Sequence, residues 1–244
     1  MKITSPSIIL LLILTIAGCS HSTDWRTADR SSTGIAPKAS EYKPAVVQVY
    51  AARAFNWRQY FAVHTWVAFK ERDKNTWQVL QVVGWRTRRG LPAVVETTEL
   101  PDRRWYGNDP EIVMDIRGDR AEKAIASLRQ AKKSYPHPNT YTVFPGPNSN
   151  TFVSYLVRNT PELKGELPPH AIGKDWLVNS AFLSKNESGT GFQISIYGLL
   201  GLNLGLAEGI EFNILGMIFG LDVLRPAIKL PFIGRLGFSD KVMD

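Results

Sequence analysis

From Ala45 onward the chain is written in β-branched and aromatic residues. AVVQVYAAR (45–53), YFAVHTWVAF (60–69), WQVLQVVGW (77–85) and EIVMDIRG (111–118) each read as a strand. KERDKNT makes a charged hairpin loop between the second and third. The period then changes. Asp119 and Glu122 stand at capping-box spacing, and Ala121, Ile125 and Leu128 fall on one face of a helix that Pro136 ends. A second helix begins at Ser149 or Asn150, carries Phe152, Val153 and Leu156 on its apolar face, and stops before Pro161. Several strands, a helix, a rigid turn and another helix predict an α+β fold, an antiparallel sheet with a few helices.

The two ends of the chain follow other patterns. Residues 185–244 form a glycine-rich hydrophobic extension, with no charge between Phe192 and Glu208. Glycine at this density disfavours a helix, so two long strands turning at AEG, a β-hairpin, are expected. That hairpin touches a membrane or a partner, or its sheet lies buried in the same core; Gln193, Ser195 and Asn203 between apolar positions favour burial. At the other end, Lys2 precedes an apolar run from Ile8 to Ile16, too short to span a bilayer, which needs ~20 helical residues. Residues 20–44 are polar and aperiodic. The expected organisation is a signal peptide (1–18), a flexible tether (19–44), an α+β domain (45–184) and the C-terminal extension (185–244).

Charge and composition narrow the function. The 244 residues carry a formal net charge of +7 and one cysteine, Cys19, so no disulfide forms within the chain. Export makes nucleic acid an unsuitable partner, and a basic surface suits anionic lipid or cell-wall polymer as well as plain solvation. Histidine and carboxylate spacings match no metal motif, and GLLGLNLGLAEG lacks the strand-to-helix context of a dinucleotide loop. No metal or cofactor is expected.

Ser149 in PGPNSNTF is the candidate nucleophile. A helix amino terminus offers free N–H groups and a positive dipole end to a developing oxyanion. His64, in mid-strand, is the candidate base, and Gln81 or Gln78 on the neighbouring strand the candidate for fixing its tautomer, the choice depending on register. Asn148 and Asn150 flank the serine as candidate substrate contacts. Trp66 and Trp85 either line a groove for an acyl or peptide ligand or pack in the core. Equally, Ser149 or Asn148 serves only as an N-cap worth ~1 kcal/mol.

Three resemblances extend these readings. IAGC (16–19) resembles the lipobox of bacterial lipoproteins, which implies lipidation of Cys19. Ser20 after it implies transfer to the outer membrane, facing the periplasm. The strand histidine followed by N-S-x-x-F at a helix start resembles circularly permuted papain-like proteins, the lecithin:retinol acyltransferase and NlpC-type group. Their nucleophilic cysteine falls at Ser149, their asparagine at Asn148 and their histidine at His64, while Trp66 stands where glycine is usual. The words HTWVAF, VVGW, PGPNSNTF and AIGKDW, with the glycine-rich tail, resemble an uncharacterised family of bacterial membrane-associated proteins. These resemblances imply a lipid-anchored envelope protein that meets the membrane through Cys19 and a cell-wall peptide, glycan or lipid through its domain. It is then either a serine-type hydrolase or acyltransferase of an amide or ester bond, or a non-catalytic binding or structural lipoprotein using the same groove. A thiol of pKa ~8.5 ion-pairs with an imidazolium, whereas a hydroxyl needs a base throughout attack.

Overall fold

A computed structural model describes residues 24–238. The expected signal peptide (1–18) and Cys19 lie outside the described residues. Two antiparallel sheets make up the architecture, one of five strands and one of seven.

The first sheet contains β1 (Val46–Arg53), β2 (Val63–Lys70), β3 (Gln78–Val82), β4 (Val94–Thr98) and β5 (Pro110–Arg117), in the order β4-β3-β2-β1-β5. β1 and β2 are central and covered on both faces, so that every residue in them except Arg53 is buried. Val47, Val49, Val67, Phe69 and Leu80 face one side, against helices α1 (Gly118–Ser134) and α2 (Ser149–Arg158). Val46, Tyr50, Trp66, Ala68 and Val79 face the other.

That second face is closed by a segment expected to be a free tether. Ala36, Ala39 and Tyr42 pack on it, and the buried Asp102 carboxylate accepts hydrogen bonds from Ser32 Oγ (2.8 Å) and the Ile35 amide (2.9 Å). Residues 32–43 are therefore part of the domain. Their lack of period reflects irregular backbone held by side-chain acceptors, which a periodicity rule does not detect. The capping box at Asp119 is also absent. α1 starts at Gly118, and Asp119 and Glu122 both bind Arg72, at 2.6 and 2.5 Å.

The C-terminal extension is a meander. β6 (Leu183–Lys185), β7 (Gly191–Ile196), β8 (Leu200–Gly205), β9 (Gly209–Ile214), β10 (Met217–Asp222), β11 (Ala227–Leu230) and β12 (Gly234–Gly237) pair in sequence order. The expected turn at AEG is present between β8 and β9, but the single hairpin is not. Tyr197-Gly198 and Leu215-Gly216 have positive φ and make further tight turns, which divide the two long strands into short ones.

The alternation of this second sheet runs opposite to expectation. Gln193, Ser195, Asn203, Glu211, Asn213 and Lys229 are buried, with Ile218, Asp222 and Ala227 beside them, while the Leu, Ile and Phe positions on the opposite face are exposed or half-exposed. The polar residues face inward, onto α2 and the loop from Leu163 to Trp176.

Candidate functional site

α2 starts at Ser149 because Asn148 caps it. The Asn148 Oδ1 accepts from the amides of Asn150 (2.9 Å) and Thr151 (3.1 Å), and the Thr151 hydroxyl accepts from the Asn148 amide. The Asn148 Nδ2 donates to the carbonyls of Val143 and Ile172. Asn150 ties the helix to the sheet: its Oδ1 accepts from the Thr65 hydroxyl at 2.9 Å, and its Nδ2 donates to Val63 and Ile172 carbonyls. Both asparagine side chains are spent on structure and are not free for a substrate. Gly173, at φ +101°, explains one letter of AIGKDW: a Cβ there would lie 2.3 Å from the Asn148 amide nitrogen.

These contacts also decide the expected Ser149–His64 pair. Thr65 points to α2, so its neighbour His64 points to the other face of the sheet. There the imidazole stacks on Trp105, 3.6 Å between centroids and 9° between planes, beside Trp66. Ser149 sits on the helical face and is buried, at 8% exposure. The β-sheet separates base from nucleophile, and no Ser–His dyad is assembled. The N-cap alternative holds, through Asn148.

His64 is instead a core residue. Burial, reinforced by the nearby Arg103 charge, lowers its pKa to about 3, so it stays neutral, and its Nε2 has no hydrogen-bond partner. Neither glutamine orients it. Gln81 lies on the same face but accepts from Arg103 at 3.1 Å, and Gln78 donates to Thr98 Oγ1. Trp66 is core, with its indole N–H on the Pro101 carbonyl. Trp85 is half-exposed, under the Arg89 guanidinium.

The described residues converge instead at a place between the two sheets. A cleft of about 430 Å³ is lined by Arg53, Glu111 and His170 near its mouth, with Glu166 and Lys229 at its floor. Arg53, at the end of β1, donates to the Phe232 carbonyl at 2.7 Å and so joins the first sheet to the β11–β12 turn. Burial raises the Glu111 pKa, and Arg53 opposes the rise. Burial, with Arg53 and Lys174 adding to it, lowers His170 to about 4; its buried Nδ1 has no partner.

Lys229 is fully buried. Its ammonium donates to both Glu166 oxygens at 2.6 Å, to Glu211 at 2.8 Å and to the Glu208 carbonyl at 2.7 Å. Glu211 also accepts from Lys174 at 3.3 Å. Burial alone would raise the Glu211 carboxyl, but Lys174 and Lys229 outweigh it and hold its pKa at about 2. Glu166 moves the other way, raised by burial and by Glu211. Beside this cluster, Asp175 binds the amides of Gln193 and Asn213. AIGKDW is thus the keystone between the sheets.

Sequence reasoning did not single out Arg53 or Lys229. The available signal was a lone lysine, Lys229, within an apolar strand, a position that demands a buried counterion. Among the described residues the cleft lining contains no serine, threonine or cysteine, so these residues supply charge and hydrogen-bonding capacity without a hydroxyl or thiol nucleophile.

Residues 44–176 match the model of a family described as "Protein of unknown function (DUF3750)". The match spans the five-stranded sheet and both helices and ends at Trp176, the last residue of AIGKDW, ahead of the meander. No curated protein and no solved structure matches the chain. The resemblance to permuted papain-like proteins gains no support from these comparisons.

Proposed function

The chain belongs to the DUF3750 family, and on that premise we propose that it is a non-catalytic, lipid-anchored protein of the bacterial cell envelope that holds a peptide-like ligand between its two sheets. The observation that carries this reading is the pairing of a mixed-charge cleft with a separated Ser149 and His64. Arg53 and Glu111 offer one fixed positive and one titratable acidic group, and neutral His170 adds a hydrogen-bonding edge. A short peptide with both an ammonium and a carboxylate, as in a cell-wall stem, matches that set. The anchoring part of the proposal rests on Ile8–Cys19 and Ser20, and it puts the domain in the periplasm at the outer membrane.

Hydrolysis by Ser149 would need an imidazole within hydrogen-bond reach, and His64 is across the sheet. A fluorophosphonate probe is therefore expected to leave the folded protein unlabelled. Titration calorimetry with soluble peptidoglycan stem peptides tests the positive side. Binding is expected in the wild type and should weaken at least tenfold in Arg53→Met and Glu111→Leu. Ser149-dependent labelling, lost in both Ser149→Ala and His64→Ala, would overturn the reading.

A further inference from the structure

We infer that the outer face of the seven-stranded sheet is a lipid-contact surface, seated in the acyl-chain region of a phospholipid bilayer. The pairing register aligns Phe192, Leu204, Ile210, Leu221, Ile228 and Leu236 in one row across six strands. Ile194, Leu202, Phe212 and Phe219 form the next row. Among the strand residues of this sheet, the one charged side chain on that face is Lys185, on the edge strand; Glu211, Asp222, Lys229 and Arg235 point inward. With strands ~4.8 Å apart and ~3.4 Å per residue, the face covers on the order of 600 Å² in plan. Soluble monomers rarely expose contiguous apolar patches so large without using them.

The inward face explains why this sheet is not an ordinary core sheet turned outward by accident. Its polar residues are bound by ion pairs and hydrogen bonds to Lys174, Asp175, Glu166 and Arg158. Turning the sheet over would strand buried charges and polar groups, each at substantial cost. The apolar face is therefore fixed outward, and no described part of the chain covers it.

The shape of the apolar surface selects lipid over a second copy. It does not stop at the flat face. Tyr197, Leu215 and Ile233 at the turns of one end are exposed, as are Leu206, Val223 and Leu224 at the other. A face-to-face sandwich of two copies would leave those tips in water, whereas a bilayer surrounds them. At the first end the surface continues into the first domain: Phe61 packs edge-on against Phe232, 5.3 Å between centroids, and exposed Trp57 lies against Phe61 with Arg58 over its ring. Tryptophan and arginine at the border of an apolar surface suit the headgroup layer. The chain's net charge of +7 suits anionic headgroups. The inference deepens the envelope reading by naming what the sheet touches, and it stands on the sheet exterior, independently of the cleft.

The test uses the full chain carrying Cys19→Ser with a single new cysteine, Phe212→Cys or Leu221→Cys on the sheet exterior, or Gln130→Cys on the exposed side of α1. Each is labelled with an environment-sensitive fluorophore and mixed with vesicles of phosphatidylethanolamine and phosphatidylglycerol bearing nitroxide-labelled acyl chains. Near-ultraviolet circular dichroism matched to the parent establishes that each variant is folded, and the two exterior positions back each other up. Quenching is expected to be several-fold stronger at 212 and 221 than at 130. Equal quenching at all three positions, or none at 212 and 221, would overturn the inference. A blue shift at 212 without nitroxide quenching would also overturn it, assigning the face to a second copy or to another segment of the chain. Stem-peptide titration of the parent separates this outcome from failure of the cleft reading.

Discussion

The two sheets use the same alternation rule with opposite results. In the five-stranded sheet, Val47, Val67, Phe69 and Leu80 point inward, and helices α1 and α2 cover them. In the seven-stranded sheet, Glu211, Asn213, Gln193 and Lys229 point inward, while Phe212, Ile214 and Phe192 point out. The first sheet is held by hydrophobic burial, which is non-directional and tolerant of small shifts. The second is held to the domain by directional, mutually dependent charges and hydrogen bonds. That makes the second interface fragile to removal of any one partner.

The largest expected effect breaks this second interface. Lys229→Met leaves Glu166 and Glu211 buried without their shared cation and should cost roughly 3–5 kcal/mol in chemical denaturation. Replacing Glu166 with Gln in the same chain should recover part of the loss, since one of the stranded carboxylates is then neutral. An unchanged midpoint for Lys229→Met would refute the ionic account of the interface.

The next effect belongs to the first sheet. His64 has a folded pKa lowered to about 3, so the folded state resists its protonation. Its contribution is complete above the unfolded value near 6.5 and is lost as pH falls toward 3. By pH 4 the loss should be on the order of 3 kcal/mol, at about 1.4 kcal/mol per pH unit. His170, lowered to about 4, adds a loss of the same sign between 6.5 and 4. Asp175, raised to about 6 by burial, acts oppositely and gains stability as pH falls from 6 to 3.8. Comparing wild type with His64→Phe removes these shared terms. The difference in unfolding free energy should change between pH 7 and pH 4, and a pH-independent difference would contradict a buried neutral imidazole.

Asn148→Ala probes the junction of the two regions. It removes an N-cap and leaves the Val143 carbonyl without its Asn148 donor, while the Ile172 carbonyl keeps the bond from Asn150, for an expected loss of ~2 kcal/mol. Ser149→Ala should be nearly silent beside it, because the cap is Asn148. The smallest effect sharpens the contrast most: Phe212→Ser should change stability in water by no more than about 0.5 kcal/mol, as for an exposed site. Phe69→Ser on the first sheet, at 0% exposure, should lose several times more.

Much of the first domain was legible. β1, β2 and β5 are rich in β-branched residues, α1 ends at Ser134 just ahead of Pro136, and PNSNT announces a helix start. β4 was missed because VVETT is short and half-exposed, with no apolar period to reveal it. The candidate site was less legible. Arg53, His170 and Lys229 lie far apart in sequence and meet only because the β11–β12 turn folds back onto the end of β1. None of the three has a spacing that local rules could read.

What the sequence determined by itself is local: where strands and helices run, where Asn148 stops the turn and starts α2, and that the tail alternates polar with apolar. What only the tertiary structure decided is direction. A two-residue period says that successive side chains go to opposite faces, but not which face meets the helices or the solvent. Thr65 rather than His64 reaches α2 because Asn150 bonds the strand in that register, and the tail turns its charges inward because Lys174 and Glu166 stand ready to receive them. Both choices are settled by partners 37 to 85 residues away, whose positions no stretch of local sequence contains.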